Sequence, residues 1–114
     1  MIIEYKTPKL KAFLLNTKKM RGKYGPRAAE NFQDQYSSPE AADNLAIYGM
    51  VERLCHELKG TRKFQLAVDL NESHGRGGLR LVFEPIRPIP LKPDGGLDRN
   101  KVTGITILKI EDYH

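Results

Sequence analysis

Hydrophobic and polar residues follow two spacings along the chain, helical near the start and period-two after residue 63. The first segment, Ile2 to Lys6, predicts a short strand. Thr7 and Pro8 then supply an N-cap and a first helical residue. They predict one helix that has Thr17 in its middle and ends at Gly22 and Gly25. Its apolar side consists of Leu10, Phe13, Leu14 and Met20.

A second helix is predicted from Pro26, because apolar side chains recur behind it at helical spacing: Ala28, Ala29, Phe32 and Tyr36. The two helices together predict an αα-hairpin with one face free to cover a sheet. Ser38 predicts the cap of a further short helix. The passage from there to Leu58 predicts irregular structure, because Gly49 interrupts its spacing.

Strand spacing dominates the second half of the chain. Phe64 to Leu70 and Leu79 to Glu84 both alternate, which predicts two antiparallel strands joined by a glycine-rich loop. Pro85 to Asp98 holds four prolines and predicts a partly extended loop. A last strand follows from Val102, and its alternation predicts two faces. One face has Leu108, Ile110, Asp112 and His114, and the other has Ile105, Ile107, Lys109, Glu111 and Tyr113.

The order of these elements predicts an α+β fold. It consists of a short N-terminal strand, a two-helix hairpin and an antiparallel three-stranded meander, with the helices on one face. Residues 1–114 suffice for one domain with a single modest core. The sheet face away from the helices is expected to be open, and it is the natural place for a site in so small a protein.

Composition excludes several classes of protein. The chain has no apolar run long enough to span a bilayer and no charged-then-apolar leader, so we expect a cytoplasmic protein without membrane contact. Its one cysteine, Cys55, excludes an intrachain disulfide and a cysteine-based zinc site. Zinc held by histidines alone would need His56, His74 and His114 together, so no metal is expected.

Charge is divided unevenly along the chain, although the net charge is only +5. Residues 1–27 have eight basic side chains and one acidic one, whereas residues 28–58 have one basic side chain and six acidic ones. A basic first segment is typical of proteins with a phosphate-rich partner. A solvated helix face is the alternative explanation.

Proton-handling groups and cations recur around the strands. Asp112, Tyr113 and His114 end the last strand, Arg80 lies on its neighbour, and the cluster from His56 to Lys63 precedes the meander. Cleavage of RNA by its own 2′-hydroxyl needs a base, an acid and cations on the phosphorane, but no cofactor. The clustering of these residue types therefore favours a metal-independent ribonuclease site.

Each residue also has a structural interpretation. His56 is equally well explained as a hydrogen-bonded structural histidine. Arg80 is explained as half of a surface ion pair, and Tyr113 as a cap on the core. A Cys55–His56 nucleophile and base is disfavoured, because adjacent residues usually point apart.

The chain resembles the RelE/ParE superfamily of toxin–antitoxin toxins, in its HigB-like "plasmid maintenance killer" branch. Three segments support the resemblance: His56-Glu57-Leu58-Lys59-Gly60 before a strand, Leu79-Arg80-Leu81-Val82-Phe83-Glu84, and Glu111-Asp112-Tyr113-His114. The resemblance implies a RelE-like microbial RNase fold and a ribosome-dependent mRNA endonuclease, or mRNA interferase, that inhibits translation. It also implies a small helix-turn-helix antitoxin as partner in a hetero-oligomer. The loop from Pro85 to Asp98 is longer than in short members.

The resemblance assigns roles to individual residues. His56 and His114 would be the catalytic acid and base in an order that stays open, while Lys59 and Arg80 would hold the scissile phosphate. Asp112 would orient or assist, and Tyr113 would stack on or position a base. Contacts to RNA or the ribosome are expected from Lys9, Lys18, Lys19, Lys23, Arg62 and Lys63.

Two other functions remain open at this point. A ParE-like inhibitor would bind a topoisomerase and cleave nothing, and one scaffold hosts both activities. A non-catalytic basic RNA-binding domain is the other alternative. An inhibitor has no need of His56, Tyr113 and His114 together, so these residues favour the nuclease.

Overall fold

The computed structural model describes residues 1–26, 30, 43–44, 56–58, 63–69 and 78–113. It contains helices and a sheet, which confirms the α+β class. The described elements are β1 (Ile2–Tyr5), α1 (Pro8–Leu14), α2 (Thr17–Tyr24), β2 (His56–Glu57), β3 (Leu66–Asp69), β4 (Gly78–Pro85) and β5 (Gly104–Tyr113), with a 3₁₀ turn at Arg99–Lys101. No helix in these residues is long and apolar enough to cross a membrane.

The strands form one mixed sheet in the order β1-β5-β4-β3-β2. Strands β2 to β5 pair in antiparallel fashion, as predicted for the meander, but β1 lies parallel to β5. A parallel pair requires a crossover connection, and α1 and α2 belong to the segment that supplies it. The predicted N-terminal strand (β1) and three-stranded meander (β3, β4 and β5) are therefore both present. The two-residue β2 and the pairing of β1 with β5 were not predicted, and they add one strand to each side of the meander.

The prediction of one continuous first helix was wrong, because the helix is interrupted between Leu14 and Thr17. Asn16 caps the second piece, and its Oδ1 accepts a hydrogen bond from the backbone N–H of Lys19 at 3.1 Å. Thr7 caps α1 as predicted, with its hydroxyl accepting from the backbone N–H of Leu10 at 3.0 Å. The helix predicted from Pro26 and the short helix predicted after Ser38 lie almost entirely outside the described residues.

The core lies between the helices and one face of the sheet. Leu14 and Met20 are 0% and 1% exposed, so both helices bury their apolar side. The sheet contributes alternate residues, as the period-two pattern predicts: Leu66, Val68, Leu79, Leu81, Phe83, Ile105 and Ile107. Leu97 and Val102 close the core from the β4–β5 connection, and Val102 precedes β5 although it was predicted to belong to the strand.

Two strand boundaries differ from the sequence pattern. Strand β3 begins at Leu66 instead of Phe64, because Phe64 has a φ of 69° that no strand residue adopts. The proline-rich segment forms no long strand, as predicted, but it contains a small hairpin in which Leu91 pairs with Leu97. Gly95 closes that hairpin with a φ of 87° and donates to the Lys92 carbonyl at 2.9 Å.

A β-bulge in β5 changes the predicted faces of the last strand. Phe83 pairs with Ile107 and Val82 pairs with Lys109, so Leu108 is an extra residue without a partner. Ile110 consequently packs against the same core as Ile105 and Ile107. The prediction that Ile105 and Ile107 share a face with Lys109 and Glu111 was wrong, because strict alternation does not survive a bulge.

Candidate functional site

The sheet face away from the helices carries a half-buried ion pair between neighbouring strands. Arg80 lies between core residues Leu79 and Leu81, so its side chain leaves the opposite face of β4. Register places it beside Glu111, and Nε and Nη2 of Arg80 both lie 2.6 Å from Oε2 of that carboxylate. The two side chains are 17% and 20% exposed. Lys109 approaches the other carboxylate oxygen, with Nζ at 3.5 Å from Oε1.

The contact with Glu111 holds the Arg80 guanidinium in one position on this face of the sheet. An arginine fork matches a phosphate as well as a carboxylate, so an incoming phosphate would compete with Glu111 for the same donors. Sequence reasoning did not include Glu111 among the site residues. Strict alternation placed it on a face with Ile105 and Ile107, and only the bulge brings it to the Arg80 side.

The end of β5 lies close to this pair. The backbone of Asp112 pairs with Leu79, and that of Tyr113 pairs with Gly78. From the spacing of strands and residues, the Cα atoms of Arg80 and Tyr113 are roughly 8 Å apart. The sheet thus brings the positions of Arg80 and Tyr113 together on one face, whereas Asp112 is in register with the core residue Leu79, on the other face. His114 lies outside the described residues.

The position of His56 is farther from this group. In β2 its backbone pairs with Ala67, which is opposite Val82, which in turn is opposite Lys109. From this register and the spacing of strands and residues, the Cα atom of His56 is roughly 12 Å from that of Arg80 and roughly 20 Å from that of Tyr113. The register therefore does not bring the backbones of His56 and Tyr113 together. Lys59 lies outside the described residues.

The face opposite the helices is not uniformly open. Ala67 and Val82 are both 0% exposed although they do not belong to the helix-side core. The expectation of an open face was therefore wrong at its centre, between β3 and β4. Solvent reaches this face nearer β5, where the Lys109 side chain is 54% exposed.

The cations predicted to contact RNA are exposed wherever they are described. Lys9 lies on α1, and Lys18, Lys19 and Lys23 lie on α2, so all four belong to the helix layer and not to the face of Arg80. Lys63 is exposed beside β3, with its Nζ 5.0 Å from the ring centroid of Phe64. Arg62 lies outside the described residues. The lysines of α1 and α2 therefore lie on the opposite side of the sheet from the Arg80–Glu111 pair.

The described residues contain no group of three or more histidine, cysteine, aspartate or glutamate side chains arranged to hold a metal ion. No family model matches the chain, and no curated protein matches it either.

Proposed function

We propose that this chain is a RelE/ParE-like toxin that cleaves mRNA during translation. The observation that supports the proposal most is the Arg80–Glu111 pair beside the last residues of β5. There, a fixed guanidinium lies next to positions occupied by a carboxylic acid and a phenol, Asp112 and Tyr113.

The reaction is attack of an RNA 2′-hydroxyl on its adjacent phosphate. A base removes the 2′ proton, the 2′ oxygen bonds to phosphorus, and the bond to the 5′ oxygen breaks as an acid protonates that oxygen. The products are a 2′,3′-cyclic phosphate and a new 5′-hydroxyl, and no cofactor takes part. Arg80 stabilises the charge that develops on the phosphorane once the substrate displaces Glu111 from part of its fork.

The register favours different roles for the candidate residues at the end of β5 and for those at β2. Tyr113, on the Arg80 face of β5, and His114, the next residue, are the proton-handling or base-positioning groups at the reacting phosphate. Asp112 is in register with the core residue Leu79, on the opposite face of β5, and assists from there. His56 and Lys59, on and just after β2, contact a flanking part of the RNA, because the His56 backbone is roughly 20 Å from that of Tyr113. The exposed lysines of α1 and α2 contact ribosomal RNA, and a helix-turn-helix antitoxin neutralises the toxin.

The test is induced expression of the wild type, a chain ending at Tyr113, and Arg80→Gln, followed by mapping of mRNA 5′ ends. We expect cuts confined to translated frames and dependent on initiation. Removal of His114 or of the Arg80 charge should reduce cutting by about 100-fold or more. Arg87→Gln is the matched control, because Arg87 is exposed and lies in the β4–β5 connection. Circular dichroism of each purified variant verifies folding.

Two results would contradict the proposal. Growth arrest with intact message would indicate a topoisomerase inhibitor, which an assay of DNA supercoiling would then identify. Binding of RNA without any cut, unchanged by both variants, would indicate a non-catalytic RNA-binding domain.

A further inference from the structure

A groove of about 390 Å³ lies on the helix side of the sheet, between α1, the end of α2 and β5. Its floor is apolar and consists of Leu10, Phe13 and Leu108. Three lysines surround the floor, namely Lys6, Lys9 and Lys23. The groove is thus separate from the Arg80 face, and the nuclease proposal assigns no role to its floor.

The β-bulge and the β1–β5 pairing together build this groove. The backbone N–H of Lys6 donates to the Ile107 carbonyl at 2.9 Å, which holds Lys6 beside the bulged residue. Leu108 is the unpaired residue of the bulge, and its side chain forms part of the floor. A regular strand would have no residue at this place.

The aromatic part of the floor is held by its neighbours. The rings of Phe13 and Tyr24 meet edge to face, with centroids 6.1 Å apart and an interplanar angle of 77°. The ammonium of Lys23 lies 5.5 Å from the Phe13 centroid and 5.3 Å from the Tyr24 centroid. Cation–π attraction therefore keeps one positive charge next to the apolar floor.

The lysines around the groove are available for an anion. None of the ion pairs found among the described residues involves Lys6, Lys9 or Lys23. The surrounding residues 1–27 have only one acidic side chain against eight basic ones. Beyond the groove, the exposed Lys18 and Lys19 continue the positive surface along α2.

We propose that this groove binds one nucleotide of a single-stranded nucleic acid. Lysine ammonium groups neutralise the phosphate, and the base lies on the apolar floor against Phe13. An aromatic platform combined with a cationic track is the usual means of binding single strands without sequence preference. The volume lies within the range of about 300–1,000 Å³ that is usual for small-ligand pockets. The continuing lysines on α2 favour a polyanion over a single small anion.

Binding of a fluorescent 2′-O-methyl oligouridylate of about eight nucleotides to the full chain tests the proposal, since site sizes run from ~4 to 16 nucleotides. This probe has no free 2′-hydroxyl, so it cannot be cleaved, and the result does not depend on the nuclease proposal. Lys6→Gln with Lys9→Gln removes two charges from the groove. Arg87→Gln with Lys92→Gln removes two charges from exposed positions of the β4–β5 connection, away from the groove and from α2, and is the matched control.

We expect the groove pair to bind the probe roughly tenfold more weakly than the control pair. Its log–log salt dependence should be shallower by about 1.4, since each phosphate contact contributes ~0.7 for single strands. Phe13→Leu keeps an apolar side chain and should weaken binding about fivefold by removing the stacking ring. Circular dichroism and thermal melting confirm that each variant is folded.

Equal losses in the groove pair and the control pair would overturn the proposal, because they would indicate diffuse attraction to the net positive charge of the protein. Probe binding that no variant changes would overturn it as well. A polyglutamate peptide serves as the competing ligand. Loss of peptide binding in the groove pair, with the oligouridylate unaffected, would assign the groove to an acidic protein segment instead.

Discussion

The Arg80–Glu111 pair joins the two longest strands of the sheet through side chains as well as backbone. Both nitrogens of the contact lie 2.6 Å from one carboxylate oxygen, and water reaches less than a quarter of either side chain. An ion pair in such a place is costly to break from one side, because the remaining charge is left partly desolvated. Arg80 is therefore held in position before any substrate binds.

Glu111→Gln should lower the free energy of unfolding by about 1–3 kcal/mol, since it removes the half-buried negative charge that Arg80 and Lys109 contact while keeping the side-chain shape. Glu57→Gln is the matched control. Glu57 pairs with Arg99 at 3.1 Å, but those side chains are 45% and 31% exposed, so the loss should stay below about 1 kcal/mol. Urea denaturation measures both. Equal losses would mean that burial of the Arg80 pair contributes nothing.

Two glycines provide opposite predictions for the same substitution. A Cβ at Gly104 would lie 2.7 Å from Cδ1 of Ile86 and 3.3 Å from Cβ of Ile2, so Gly104→Ala should destabilise by about 1–2 kcal/mol. At Gly22, inside α2, a Cβ would meet nothing within 4 Å. Gly22→Ala should therefore stabilise by about 0.5–1 kcal/mol through helix propensity. Thermal melting of the two variants should show shifts of opposite sign.

Among the elements, β5 departs most from its sequence pattern. Leu108 resets the alternation, so that Ile110 returns to the core face and Glu111 meets Arg80. Removing one residue from a strand normally moves all following side chains to the other face. Removing Leu108 instead makes the ladder regular and leaves the pairing on both sides unchanged.

Deletion of Leu108 should consequently give a folded protein, less stable by about 1 kcal/mol because a half-buried leucine is lost. Deletion of Ile110 should prevent folding, because it moves Glu111 to the core face. Circular dichroism and urea denaturation distinguish the two. As a check on register, Glu111→Gln should lower the free energy of unfolding by the same amount in the wild type and in the Leu108 deletion. If its effect disappears in the deletion, the register has slipped.

The helices and strands were predictable to different extents for physical reasons. The cap at Thr7 and the buried alternation of β4 follow from local chemistry that the sequence displays directly. The break before α2 was missed because Leu14 and Met20 both face the core on either side of it. The pair Asn16-Thr17 was the available signal, since asparagine is a strong N-cap. Strand β2 is two residues long and is too short to show any period.

For the molecule as a whole, the α+β class followed from the order of elements, but the parallel β1–β5 contact did not. Pairing between strands so distant in sequence leaves no local pattern, and neither does a single-residue bulge. Because long-range pairing and the bulge leave no local pattern, only part of the candidate site could be predicted. Arg80 and the end of β5 adjoin as expected, whereas Glu111 and the distance to His56 depend on register across four strands.

The parallel pairing of β1 and β5 also has a consequence for synthesis. Ile2 pairs with Gly104, so the first strand made must wait for a partner translated about one hundred residues later, and closing so long a loop is entropically unfavourable. The β3–β4 hairpin can form earlier, but until β5 is made its β4 edge stays unpaired and ready to join strands of other chains. Chains released before residue 104 should therefore aggregate or be degraded, and message breakage within this reading frame would yield no folded product.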